Sequence, residues 1–288
     1  MKSKTKILIA GASGTNGREI LSLLSTHGIP ARAMVRNKER NKSLASETVE
    51  LVEGDLSLPE TLNIPLRNID TAYIIIPIHR DASRWFENFL MAAKVAGIHH
   101  IIRLSGLGSD TESKSEILRQ HGYSDKLLRE SGFDYTIVRP NSFFQNILWQ
   151  ARQIKRKNRF CFPMGDAAQS TIDVKDIGEA VFEILTTNDY KNKTYSLTGP
   201  ETLSFFDAAD HLSQLLEREI KYQPITSATS EQSMLCSGVP SWNAHALSEI
   251  QELFSTGNYS ETTEDLKTII KRRPTSFIEF AKANINQF

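Results

Sequence analysis

Lys6-Ile7-Leu8-Ile9-Ala10-Gly11-Ala12-Ser13-Gly14-Thr15-Asn16-Gly17-Arg18-Glu19-Ile20-Leu21 sets three glycines between an apolar, strand-like run and a helix-like run. That arrangement builds a phosphate cradle. Gly11 permits the tight turn, Gly14 lets the backbone approach a pyrophosphate with no Cβ in the way, and Gly17 lets the following helix pack close to the strand. The helix N-terminus adds free N–H groups and a partial positive charge, so Ser13, Thr15 and Asn16 join the glycines as expected cofactor contacts. Its place directly after Ile7-Leu8-Ile9 supplies the strand–turn–helix context the motif requires. A glycine-rich turn without a ligand is the alternative.

Outward from the cradle, apolar runs alternate with helix-period segments in the rhythm of βα units around a parallel sheet. Strands are expected at about 6–10, 31–35, 49–53, 71–76, 99–104 and 134–138, and helices near 15–27, 57–65, 82–97 and 114–131. The longest helical run, Trp85 to Ala96, is apolar at intervals of three and four and stops at Gly97. After Arg139-Pro140 the rhythm changes. Tyr195-Ser196-Leu197-Thr198 reads as a strand returning to the sheet, and residues 201–288 read as mostly helical, with Ser204 as an N-cap. The expectation is an α/β fold, a Rossmann-type doubly wound parallel sheet: residues 1–140 form the dinucleotide-binding core and 141–288 a smaller, mostly helical substrate and lid region.

Composition excludes several classes. Of 288 residues, 34 are basic and 34 acidic, so the net charge is zero and no global field favours nucleic acid or an anionic membrane. Any DNA-related role would act through a protein partner. No apolar run approaches the ~20 residues of a membrane span. Met1-Lys2-Ser3-Lys4-Thr5-Lys6 leads straight into the first strand without room for a signal peptide, which makes a cytoplasmic location the expectation. Cys161 and Cys236 lack ligand spacing and read as reduced structural thiols; His99 and His100 would point to opposite faces of a strand, so no metal site is expected.

The end of the second strand selects between NAD and NADP. Met34-Val35-Arg36-Asn37-Lys38-Glu39-Arg40 places Arg36 at the tip, with Lys38 and Arg40 behind it, where a dinucleotide's 2′-phosphate would lie. NADPH is therefore favoured over NADH. A solvated charge run is the alternative, since Glu39 interrupts the basic residues.

The G-x-x-G-x-x-G spacing resembles the short-chain dehydrogenase/reductase superfamily, and within it the atypical NmrA-like group that includes the co-regulator NmrA and NAD(P)H:quinone or dye reductases. That resemblance implies further contacts. Glu53-Gly54-Asp55-Leu56 looks like the family's G-D-L step at the adenine, and Ile74-Ile75-Ile76-Pro77 lies where the superfamily passes the ribose and pyrophosphate, so Asp55, Leu56, Ile76 and Pro77 are expected at the cofactor. Typical members then use a serine and a Tyr-x-x-x-Lys pair for proton transfer. Ser105 stands at the serine position, but Tyr123 is followed four residues on by Leu127, so the pair is missing.

What stands on that helix is His121-x-x-x-Asp125, similar to the group's His-x-x-x-Glu. At i, i+4 the two share a helix face, and the carboxylate is expected to raise the imidazole pKa and fix its tautomer. His121 would then either donate a proton or position the cofactor. Further downstream, the run from Ser131-Gly132 through Arg139-Pro140 to Asn146, then Asp173-Val174-Lys175-Asp176-Ile177, and finally Arg272-Arg273-Pro274-Thr275-Ser276-Phe277 all resemble group signatures. The resemblance places Asn141 at the cofactor and Phe143, Phe144 and Asn146 on the substrate wall. Its functional implication is an NADPH-dependent reductase passing hydride to a small aromatic or quinonoid acceptor. The other reading is a non-catalytic NADP(H) sensor that reports to a protein partner; a nucleotide-sugar epimerase would need the absent tyrosine.

Overall fold

The structure, a computed structural model, describes residues 7–288. Seven strands, β1 (Ile7–Ala10), β2 (Ala31–Val35), β3 (Val49–Glu53), β4 (Thr71–Ile74), β5 (His100–Leu104), β6 (Asp134–Pro140) and, after β7 (Arg159–Phe162), β8 (Lys193–Leu197), form one sheet without β7. Its order is β3-β2-β1-β4-β5-β6-β8, and every neighbouring pair is parallel. The order reverses at β1, which opens a crevice at the carboxyl ends of β1 and β4, the place where open α/β sheets bind ligands.

Helices cover both faces, which is why β1 and β5 are buried at every position. On one face α1 (Thr15–Thr26) packs with a later helix spanning Val174–Thr186, and Ile20, Leu24, Ile177 and Ile184 meet Ile9, Ile102 and Val138. Between them in sequence come the short α2 (Asn63–Leu66), then α3 (Ala82–Ala96) and α4 (Glu116–Glu130) on the opposite face, where Phe86, Phe89, Ala93 and Leu128 meet Leu8, Ile74, Ile101 and Ile137. The chain continues through α5 (Ala151–Lys157), α6 (Val174–Thr186), α7 (Phe205–Leu216), β9 (Lys221–Pro224), α8 (Ser227–Cys236), α9 (Ser241–Phe254), α10 (Asp265–Ile270) and α11 (Phe277–Ala283).

Most expected elements stand within a residue or two. Gly97 ends α3 at a φ of 72°, a backbone conformation that favours glycine. Ser204 caps α7 in a reciprocal capping box with Asp207, and Ser276 does the same for α11 with Glu279. The expected helix at 57–65 is instead a 3₁₀ turn at Pro59–Thr61 followed by the single turn of α2. One pairing was not anticipated: β7 and β9 form a separate two-stranded parallel sheet. Residues 141–288 thus serve two structures. They supply α6, β8 and α10 to the main sheet's layers, and α5, β7, α7, β9 and α11 contribute to a third core in which Phe144, Phe160, Leu212, Tyr222, Phe277 and Phe280 pack together.

Candidate functional site

Two of the cradle's glycines are required by the backbone, each for a different steric reason. Gly11 sits at a φ of 86°, and a Cβ there would lie 2.7 Å from the carbonyl oxygen of Ile75. A Cβ on Gly17 would lie 2.7 Å from Ala12 Cα and closer still to the carbonyl of Gly11. Gly14 is the exception: its φ of −77° and ψ of 171° suit any residue, and a Cβ would touch only Gly11 O, at 3.5 Å. The protein itself does not need a glycine at 14. Gly14 is also the N-cap of α1, where no side chain caps the free amides, and Asn16 Oδ1 beside it is buried with no hydrogen-bond partner. Uncapped amides and an orphaned buried oxygen fit a dinucleotide at this helix end. Ser13 is exposed and fixes the loop through its carbonyl, which accepts from Arg18 Nε at 2.9 Å.

At the far end of the crevice, Arg36 follows β2 directly, and Arg36 and Arg40 are both exposed with no carboxylate partner among the described residues. Asp55 is occupied locally: its carboxylate accepts from the Ser57 amide at 2.8 Å and the Ser57 hydroxyl at 2.7 Å, closing a turn. Leu56 is buried in the core, and its carbonyl accepts from Asn88. Ile76 and Pro77 border a small cleft of about 20 Å³. Ile75, which sequence reasoning passed over, lines the large cavity instead, beside Gly11.

The largest correction concerns His121 and Asp125. They share the face of α4, yet they do not touch, because Arg103 from β5 lies between them. Its guanidinium donates to Asp125 Oδ1 with one nitrogen and to His121 Nδ1, at 2.9 Å, with the other. Asp125 is fully buried and also accepts from Arg139 Nε at 2.9 Å and from the Ser105 hydroxyl at 2.9 Å. The expected rise in the His121 pKa is reversed: burial, then the charges of Arg103 and Arg139, lower it to about 3. Since arginine only donates, Nδ1 must accept, which puts the imidazole proton on Nε2. His121 is a neutral N–H donor. Ser105 borders the cavity but spends its hydroxyl proton on Asp125, and Tyr123 leaves the site altogether, exposed and donating to Glu87 at 2.6 Å.

Arg103 had one legible signal, a permanent charge inside the strand-like run His100-Ile101-Ile102-Arg103-Leu104, which is buried throughout. A full-length charged side chain that is only 2 % exposed must be paired.

The cradle opens into a cavity of about 460 Å³. Gly14, Thr15 and Asn16 form one end, His121 and Ser105 one side, and Phe143 and Asn146 the wall beyond β6. Phe144 reaches the cavity while packing edge-on to Phe277 with centroids 5.4 Å apart. Asn141 also borders it, but its carboxamide nitrogen donates to Ser170 Oγ and to the carbonyl of Tyr259, each at 2.9 Å, so its side chain fastens the C-terminal segment. The sequence reading missed the opposite wall: Leu247, Ile250 and Phe254 from α9, with Met164 and Phe205. Their spacing of three and four on α9 marks an apolar stripe, though nothing local says it faces a cavity. The signature segments tie these walls together. Gln145 Nε2 donates to Asp173 at 2.6 Å, and Asp173 caps α6, while buried Asp176 accepts from Arg272 and twice from Thr275.

Fold and cradle together define a dinucleotide-fold protein of the short-chain dehydrogenase/reductase type whose catalytic tyrosine is missing. More narrowly, the chain belongs to the NmrA-like family, whose profile matches residues 3–281. It is 32% identical to an NAD(P)H azoreductase of Xenophilus azovorans, over 98% of this chain and 99% of that one. Among solved structures, NADPH-dependent quinone oxidoreductase QOR2 of Escherichia coli, complexed with NADPH, superposes with a TM-score of 0.88 at 23% identity, covering 97% of this chain and 100% of the other. The triphenylmethane reductase of Citrobacter sp., complexed with NADP(H), gives 0.86 at 24% identity, covering 96% and 99%.

Proposed function

We propose that the protein is an NADPH-dependent oxidoreductase that delivers hydride directly to a flat, conjugated acceptor such as a quinone or a dye. The observation that carries this is the continuity of cradle and cavity: Gly14 and Thr15 line the same space as Phe143, Phe205 and Phe254, so cofactor and an apolar acceptor meet in one compartment. Bound NADPH supplies the hydride, and with one proton from water a quinone becomes the hydroquinone and NADP⁺ remains. The residues of this chain orient the partners and exclude water. An acceptor that spreads charge over a conjugated ring needs no tyrosine acid, which agrees with Tyr123 facing away. An azoreductase, a quinone oxidoreductase and a triphenylmethane reductase among the similar proteins support this chemistry.

Arg36, with Arg40, selects the 2′-phosphate in this reading, each charge-assisted contact contributing about 1.5–3 kcal/mol. Titration of NADPH and NADH should therefore show a clear preference for NADPH that Arg36→Ala largely erases. Equal affinities in the wild type would remove these arginines from the account. For the reaction, NADPH consumption against a panel of quinones and dyes should show turnover. Tight NADPH binding with no acceptor reduced would point to a sensor instead.

A further inference from the structure

The cavity wall carries no formal charge. Among its described lining residues there is no Asp, Glu, Lys or Arg, and its one histidine, His121, is held neutral. Charges on the wall elements are turned away: Asp173 accepts from Gln145 and from the amide of Lys175, and Arg139 reaches Asp125 behind the wall. That buried cluster is not balanced. Arg103 and Arg139 share the single carboxylate of Asp125, so one positive charge is left over behind His121. With Nδ1 occupied by Arg103, Nε2–H is the polar group that His121 has left to offer the cavity.

Conjugated acceptors fall into two electrostatic classes. A quinone arrives neutral and becomes an anion when hydride reaches it, before a proton from water completes the hydroquinone. A cationic triphenylmethane dye arrives positive and becomes neutral. A wall without carboxylates gives the cation aromatic faces and amide oxygens but no countercharge, whereas a polarised neutral N–H backed by surplus positive charge stabilises a developing oxyanion. Resting on the reductase reading above, we infer that this cavity selects uncharged quinone-type acceptors over cationic dyes, that His121 Nε2–H donates to the forming oxyanion, and that Arg103 is the positioning residue behind it. The arrangement is catalysis by charge development: the site favours the state reached after transfer more than the one before it.

NADPH oxidation with 1,4-naphthoquinone and with the cationic dye malachite green tests this, and because the two differ in intrinsic reactivity, the comparison runs across variants. His121→Phe should lower kcat for naphthoquinone about tenfold or more, and for the dye less than about threefold. Asn146 lines the cavity, and no described residue bonds its carboxamide. Asn146→Asp should therefore place a carboxylate on the wall and shift the kcat/KM ratio about tenfold or more toward the dye. Imidazole ¹⁵N shifts should report a neutral, Nε2-protonated ring from pH 5 to 8; a ring titrating near its ordinary value overturns the role of Arg103. Equal losses for both acceptors in His121→Phe, or an unmoved ratio in Asn146→Asp, overturn the inference and leave the reductase reading standing. If the wild type reduces neither acceptor, that reading falls, and calorimetric titration with the two probes decides the rest. Naphthoquinone bound with the dye excluded upholds the charge selection, and a dye bound as tightly as the quinone overturns it.

Discussion

Burial lowers the pKa of His121 to about 3, with Arg103 and Arg139 acting in the same direction, and it lowers His100 to about 4, with Lys191 adding to it. Both are bases whose pKa falls on folding, so protonation favours the unfolded chain. Their contribution to stability is complete above the ordinary value of 6.5 and is lost as pH falls from there through about 4 toward 3. Denaturant unfolding should therefore give a stability flat in this contribution from pH 7 to 8 and reduced by on the order of a few kcal/mol by pH 4. His121→Gln should shrink the acid-side slope; a slope unchanged in that variant would mean that His121 is not held neutral. At this scale the sequence named His121 and Asp125 together but not how they are joined. His121 and Asp125 were legible from their spacing on one helix. The place of Arg103 between them was not, because its contact with His121 joins β5 to α4 across 18 residues. The sign of the pKa shift depended on that tertiary contact.

Elements were read most securely where local chemistry fixes them. The cap Ser204, the stop at Gly97 and strands β1 to β6 each carry their cause within a few residues. The β7 and β9 pair does not: its strands are four residues long, with Phe160 facing Tyr222 as their buried positions, too short for an alternation to stand out. Nor does the sequence explain why the Asp173-to-Ile177 and Arg272-to-Phe277 segments both resemble family signatures. The structure does, because they form one joint. Asp176, fully buried on α6, accepts from Arg272 Nη2 at 2.6 Å and from the Thr275 amide and hydroxyl at 2.6 and 2.9 Å, fixing the approach to α11. Asp176→Asn removes the charge and turns a donor toward other donors. It should cost about 2–4 kcal/mol in urea denaturation. A variant as stable as the wild type would show that the joint is dispensable.

Across the whole molecule, the sheet reversal at β1 sets the cradle, and side chains from residues 141–288 line the cavity it opens into, so that in the proposed reading one compartment holds cofactor and acceptor. The fold of the first half was readable because each βα unit buries its own apolar run. The far wall was not, because α9 packs on α8 and α4 and faces the segment after β6 across the cavity, a placement that tertiary contacts set and local sequence does not. In the proposed reading this compartment binds NADPH at the glycine cradle and turns it over. Gly14 separates that claim from stability, since its backbone suits any residue and a Cβ meets only Gly11 O at 3.5 Å. The direct test is NADPH oxidation with 1,4-naphthoquinone by wild type and Gly14→Val, with thermal unfolding of both measured without ligand. Turnover in the wild type, its loss in Gly14→Val and an unchanged unfolding temperature are predicted. A Gly14→Val protein that oxidises NADPH at the wild-type rate would contradict the account.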